Sequence, residues 1–183
     1  MLIAMAGLPG TGKSTLARAL AEDLRYDGID AIVLDKDETR AALFPPPTIE
    51  YSTEQDDLCV EIMLQVAAFL LRRDPEQVIL LDGRTFTRRS QVEHVTSAAE
   101  RLSPPLIFIE CRCDETTALR RLKDDHAQGR HPAANRSAAL YLELRARADP
   151  LVIPHLVVDT DGPLEEAVRR CRAYLAGCQQ PAP

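Results

Sequence analysis

The stretch Gly7-Leu-Pro-Gly-Thr-Gly-Lys-Ser-Thr15, "GLPGTGKST", decides how the rest of the chain is read. It follows an apolar run, "LIAMA" (2–6), and opens a helical pattern that runs from Lys13 to Arg25. The spacing G-x-x-x-x-G-K-[ST] is complete, and the strand-before, helix-after context is the one its mechanism requires. Glycines at 7, 10 and 12 let the backbone turn its N–H groups inward around phosphate oxygens. The helix N-terminus adds partial positive charge. Lys13, one of only three lysines, is expected to reach the β- and γ-phosphates, Ser14 to ligate Mg²⁺ and Thr15 to bind the α-phosphate. The expected nucleotide set is Gly7, Gly10, Thr11, Gly12, Lys13, Ser14 and Thr15, with ATP and Mg²⁺ as cofactors.

Outward from this motif, short apolar runs alternate with longer amphipathic ones. The strand candidates are "LIAMA" (2–6), "AIVLD" (31–35), "VILLD" (78–82), "LIFIEC" (106–111) and "HLVVD" (155–159). They are continuous rather than alternating, as expected of parallel strands covered on both faces. Helical patterns span Lys13–Arg25, Thr53–Arg73, Arg88–Leu102, Glu115–Gln128, Arg136–Arg147 and Leu164–Leu175. Strand, helix, strand, helix predicts an α/β fold with a parallel sheet. "FPPPTIEYS" (44–52) carries three prolines, which remove donors and fix φ, and predicts an irregular, stiff surface loop. "HAQGRHPAANRS" (126–137) predicts a loop or lid, and "GCQQPAP" (177–183) a frayed tail beyond a single domain over 1–176.

Composition narrows the function classes. At 183 residues with 45% hydrophobic content, the chain suits one soluble domain. No apolar run approaches the roughly 20 residues that cross a bilayer. The N-terminus lacks the basic flank of a signal peptide, and the five cysteines form no CxxC, so a cytoplasmic, reduced protein is expected. A net charge of −6 argues against wrapping long nucleic acid, which needs a basic stripe. A GTPase would carry an N/T-K-x-D motif, and none is present. A motor-type ATPase would want a glutamate after Asp82 of "VILLDG", and none follows. Small size, an N-terminal phosphate cradle and late arginines favour a phosphotransferase.

Such a reaction has further needs. In a parallel α/β sheet, ligands gather beyond the carboxyl ends of the strands. Asp35 and Asp37 of "VLDKDETR" end the second strand, and Asp82 ends the third. A substrate hydroxyl must lose a proton as it attacks the γ-phosphorus, and Asp37 is the expected base. Arg40, three residues on, is the expected substrate clamp. Asp35 either serves Mg²⁺ through water or caps a helix, with Glu38 completing a capping box.

These residues resemble a family. The N-terminal GxxGxGKST, the D-x-D-x-x-R after the second strand, "LLDGRTFTRRSQ" and a late arginine lid are similar to the small P-loop kinases. That group includes polynucleotide 5′-hydroxyl kinases, adenylylsulfate kinase, gluconate kinase, chloramphenicol phosphotransferase and the zeta toxins. The resemblance implies a P-loop NTPase fold, a five-stranded parallel sheet in the order 2-3-1-4-5 with helices on both faces. It implies Asp37 as general base and Arg40 as acceptor grip. "LRRLKDDHAQGRHP" (119–132) is similar to the lid, which makes Arg120 and Arg130 the expected γ-phosphate stabilisers, with Arg121 beside them. Asp82 and Arg84 of "DGRTFTRRSQ" fall in the acceptor-binding segment, although Arg84-Thr85 replaces the usual pair. "VVDTDGPLEEAV" (157–168) resembles the last strand and the turn beside adenine. Phe44, Glu50 and Tyr51 are candidate pocket residues ahead of the long helix 53–73.

The expected function is ATP-dependent phosphorylation of a hydroxyl acceptor: a small metabolite, nucleoside or antibiotic. A polynucleotide 5′-hydroxyl kinase, binding a nucleic-acid 5′ end, is the first alternative. A nucleotide-binding regulatory or toxin-like protein is the second. A monomer or homodimer without membrane association is expected.

Overall fold

The computed structural model describes residues 1–102, 104–128 and 137–178. Its elements are β1 (Leu2–Ala6), α1 (Lys13–Tyr26), β2 (Ala31–Asp35), α2 (Lys36–Leu43), a 3-10 turn (Pro46–Thr48), α3 (Thr53–Arg73), β3 (Val78–Asp82), α4 (Arg89–Leu102), β4 (Leu106–Arg112), α5 (Glu115–Gln128), α6 (Ala138–Ala146), β5 (His155–Asp159) and α7 (Leu164–Cys178). The strands pair in parallel in the order β2-β3-β1-β4-β5, the order expected.

β1 is central because all five of its residues are buried. Its pleat divides the interior. Ile3 and Met5 join α1 and α7 through Leu16, Leu20, Val168 and Cys171. Leu2 and Ala4 join α3 and α4 through Met63, Leu64, Val95 and Ala98. Burying each large aliphatic side chain in these layers stabilises the fold by about 1.5–3 kcal/mol. A smaller cluster of Ala118, Leu122 and Tyr141 joins α5 to α6 and packs against Leu8 of the glycine loop.

Two helix bounds differ from expectation by more than one residue. α6 starts at Ala138 because Ser137 caps it, its Oγ accepting from the Leu140 N–H at 3.2 Å. α7 runs on to Cys178, past the expected stop at Leu175. The proline segment is not wholly irregular: Pro46–Thr48 form one 3-10 turn. Proline is compatible with the first positions of such a turn, where its missing N–H has no partner to lose. The expected lid lies largely outside the described residues, which stop at 128 and resume at 137, and residues 179–183 of the tail lie outside them too. Among the described residues no helix is long and apolar enough to cross a membrane.

The arrangement matters for chemistry at one edge. Asp35 and Asp82 are register partners at the carboxyl ends of β2 and β3. β1 ends one strand over and passes straight into the glycine loop.

Candidate active site

The glycine loop can exist only with glycine at its tight points. Gly7 has φ +131°, and a Cβ there would stand 2.4 Å from the Cys111 carbonyl oxygen. Gly10, at φ +79°, would press on the Ala118 carbonyl at 2.6 Å. The loop is pinned from outside by Gly7 N–H donating to Thr85 O (3.0 Å) and by the Thr160 hydroxyl donating to Thr11 O (2.9 Å). The Thr11 hydroxyl donates to Leu8 O at 2.8 Å. Gly12 precedes α1 in the left-handed conformation and gives it no side-chain cap. The amides of the first turn are therefore offered to an anion rather than to a capping oxygen. Lys13 is buried and donates to Leu8 O at 2.9 Å, so its ammonium lies across the loop.

Two of the cavities that border this loop share a wall. One, of about 260 Å³, is lined by Lys13, Ser14, Lys36, Asp37, Asp56 and Arg84 among others. The second, of about 470 Å³, is lined by Gly12, Lys13, Ser14, Thr15, Arg121 and Thr160 among others. Lys13 and Ser14 are walls of both.

Asp35 caps α2. Its Oδ1 accepts from the Asp37 N–H at 2.8 Å and the Glu38 N–H at 3.3 Å, and its Oδ2 faces Arg18 at 3.4 Å. Burial, reinforced by the charge of Asp82, pushes the Asp35 carboxyl above its ordinary range, against the pull of the two amides. The cap fixes where α2 begins and so where Asp37 stands. Asp37 lies in the first turn of α2 and lines the first cavity; its Oδ1 accepts from Arg40 Nη1 at 2.6 Å and faces Lys36 Nζ at 3.5 Å. Arg40 is almost fully buried, pairs also with Asp56, and lies over the Tyr51 ring at 5.2 Å. Asp37 and Arg40 thus meet as helical i,i+3 partners.

Asp82 is 1% exposed, and both its carboxylate oxygens are buried with no hydrogen-bond partner among the described residues. Arg84 follows on the loop after β3, buried, and pairs with Asp57. Arg120 is exposed on α5. Its neighbour Arg121 reaches the glycine loop instead, donating to Thr160 O at 2.6 Å and to Gly10 O at 3.5 Å. Arg130 and His131 lie outside the described residues. Tyr51 lines the first cavity, whereas Phe44 and Glu50 do not.

Sequence reasoning missed Lys36, Asp56 and Asp57. Lys36 lines the first cavity and pairs with Asp56 at 2.8 Å. Burial holds its ammonium below the ordinary lysine value, against the pull of Asp37. The available signal was its position between two aspartates. Asp56 and Asp57 belong to no motif, and acids are common near the positive end of a helix, so nothing in the sequence hinted that they face three buried cations. Among the described residues no group of three or more His, Cys, Asp or Glu side chains could hold a metal.

Known proteins share this fold. Cytidylate kinase of Syntrophotalea carbinolica is 26% identical over 111 residues, covering 61% of this chain and 46% of that protein. The chain thus matches less than half the length of that curated relative. The APS kinase CysC of Mycobacterium tuberculosis, solved in complex with AMPPNP and APS, superposes with a TM-score of 0.73 at 18% identity, with 96% of each chain covered. A gluconokinase from Sinorhizobium meliloti gives a TM-score of 0.65 at 20% identity, with 96% of this chain and 91% of that chain covered. Residues 2–151 match the profile of the AAA domain family. With its nucleotide loop, sheet order and strand-end carboxylates in place, the chain belongs to that family and has the fold of the small P-loop kinases.

Proposed function

We propose that this protein transfers the γ-phosphate of ATP to the hydroxyl of a small acceptor. The observation that carries the reading is the shared wall. Lys13 and Ser14 line both the larger cavity, where "DTDG" and Arg121 would face the nucleotide, and the smaller one, where Asp37 stands. A nucleotide in the first and an alcohol in the second would meet at Lys13, which is the proximity that transfer demands.

Asp37 takes the proton of the acceptor hydroxyl. Arg40 and Lys36 hold its Oδ1, which leaves Oδ2 for the substrate. The acceptor oxygen bonds to the γ-phosphorus while the bond to the β–γ bridging oxygen breaks, releasing ADP. Lys13 balances charge on the moving group, assisted by Arg120, Arg121 and Arg130 from α5 and the segment after it. Arg84 borders the acceptor, and Arg40, buried behind the cavity wall, holds Asp37. Bound Mg²⁺ would neutralise charge on the β- and γ-phosphates. The Ser14 hydroxyl would hold it directly. Of the two strand-end carboxylates, Asp82 suits a hold through water, because its oxygens are uncommitted while those of Asp35 face amides and Arg18.

An ATP-consumption screen over hydroxyl acceptors, oligonucleotides included, tests the reading. Turnover with a small acceptor is expected, and Lys13→Ala should abolish it. Asp37→Asn should lower kcat by about 10²–10⁴. Full activity in that variant would sink the base assignment. Tight ATP binding with no acceptor phosphorylated would favour a regulatory role. Activity on oligonucleotides that falls steeply with salt would favour the 5′-hydroxyl kinase.

A further inference from the structure

Arg84 has more hydrogen-bonding capacity than its protein partners use. It is 4% exposed and lines the acceptor-side cavity. Its Nη2 pairs with Asp57, whose side chain is about half exposed. Its Nε and Nη1 are buried with no partner among the described residues. Guanidinium stays charged at any physiological pH. Burying its donors unpaired is costly, so such donors are expected to find an oxygen, and the cavity they border is where a ligand would bring one.

The loop that carries it is held firmly. Thr85 O accepts from Gly7 N–H (3.0 Å), and Thr87 O accepts from Asp149 N–H (2.9 Å). Between them Phe86 sits at φ +54°, a strained value for a bulky residue, secured by edge-on packing of its ring on Phe108. Strain of this kind persists where surrounding contacts over-determine it, often at ligand sites. The Thr85 and Thr87 hydroxyls, 3.1 Å apart, and the side chains of Lys36, Arg88 and Gln91 make the neighbouring wall polar.

We propose that Arg84 binds an oxyanion on the acceptor. The substrate class is then a small hydroxylated acid, with its hydroxyl at Asp37 and a carboxylate or phosphate at Arg84. This rests on the phosphotransferase reading above and narrows it. The cavity volume of about 260 Å³ suits a compact acid.

Matched acceptors test it: glycerol, glycerate and glycerol 3-phosphate; glucose, gluconate and glucose 6-phosphate; cytidine and cytidine 5′-monophosphate. In at least one set the acid should exceed its neutral partner in kcat/KM by roughly tenfold to a hundredfold, chiefly through acceptor KM. Whether the carboxylate or the phosphate leads names the source of the oxyanion. Arg84→Met should collapse that ratio toward one and move the KM for ATP far less. Arg84→Lys, which restores a point charge, should recover part of the ratio, and thermal melts of both variants report folding. Equal turnover of acids and neutral partners by the wild type would overturn the proposal while leaving the phosphotransferase standing. So would equal losses on both in Arg84→Met, which would assign Arg84 to the transferred phosphate. Transfer to no acceptor at all, with ATP still bound, would overturn the phosphotransferase reading itself.

Discussion

At the scale of single residues, Asp35 and Asp37 show how two similar carboxylates acquire different surroundings. Both are buried, and only one residue separates them. Asp35 spends Oδ1 on two backbone amides, whereas Asp37 faces two cations and a cavity. Asp35 therefore carries a charge whose burial is incompletely compensated, and its native pKa lies above 3.8. At a pH above that raised value both native and unfolded states are ionised, and the folded protein bears the full cost. Below 3.8 both are protonated and the cost vanishes. Between the two values the unfolded chain has lost its proton and the native state has not, so stability falls as pH rises. Asn retains the capping oxygen and removes the titration. The stability of Asp35→Asn relative to wild type should thus increase as pH rises from 3.8 through the raised native value, in urea unfolding over a pH series. A difference independent of pH would contradict the assignment.

At the scale of the element, the glycine loop is a fitted piece rather than a flexible one. Its backbone is pressed against the end of β4 at Cys111 and against α5 at Ala118, with no room for a methyl group at either point. Gly7→Ala combines a disfavoured φ with a backbone clash, so it should destabilise the protein by at least about 1–3 kcal/mol. It should also weaken ATP binding, because displaced amides no longer converge. Urea unfolding and ATP titration check both halves; wild-type affinity would show that the loop tolerates another path. This element was readable from the sequence because its constraint is local. Three glycines at set spacing, a lysine and a helix start suffice to mark it. The N-terminal part of α3 was not readable in the same way. Asp56 and Asp57 are ordinary N-terminal acids until Lys36, Arg40 and Arg84 are brought beside them from α2 and the loop after β3.

At the scale of the whole molecule, the central position of β1 couples the two cores to the site. Ile3 lies in the layer with α1 and α7, and α1 begins at Lys13. Ile3→Ala should cost about 2–5 kcal/mol in unfolding free energy. A nucleotide bound only to the native state would restore about 2.7 kcal/mol at a concentration 100-fold above its Kd. Thermal melts of Ile3→Ala with and without AMPPNP measure both terms. Failure of AMPPNP to raise the melting temperature would argue that the larger cavity does not take the nucleotide.

What the sequence determined by itself had a short-range signature. The five continuous apolar runs, the phosphate loop and the Asp37–Arg40 spacing were legible because strand burial, glycine φ and helical periodicity act over a few residues. The strand order came through resemblance to a family, which also implied the same Asp37 and Arg40 roles that the residues suggested, and the sheet has that order. Only the tertiary structure decided which long-range partners meet. It seated Arg121 rather than Arg120 on the glycine loop, set Asp82 and Arg84 in burial with unpartnered atoms, and made Lys13 and Ser14 a wall common to two cavities. The reason is physical. A charged side chain looks the same in a sequence whether water or a buried carboxylate faces it, and that difference is made only when elements far apart in the chain pack together.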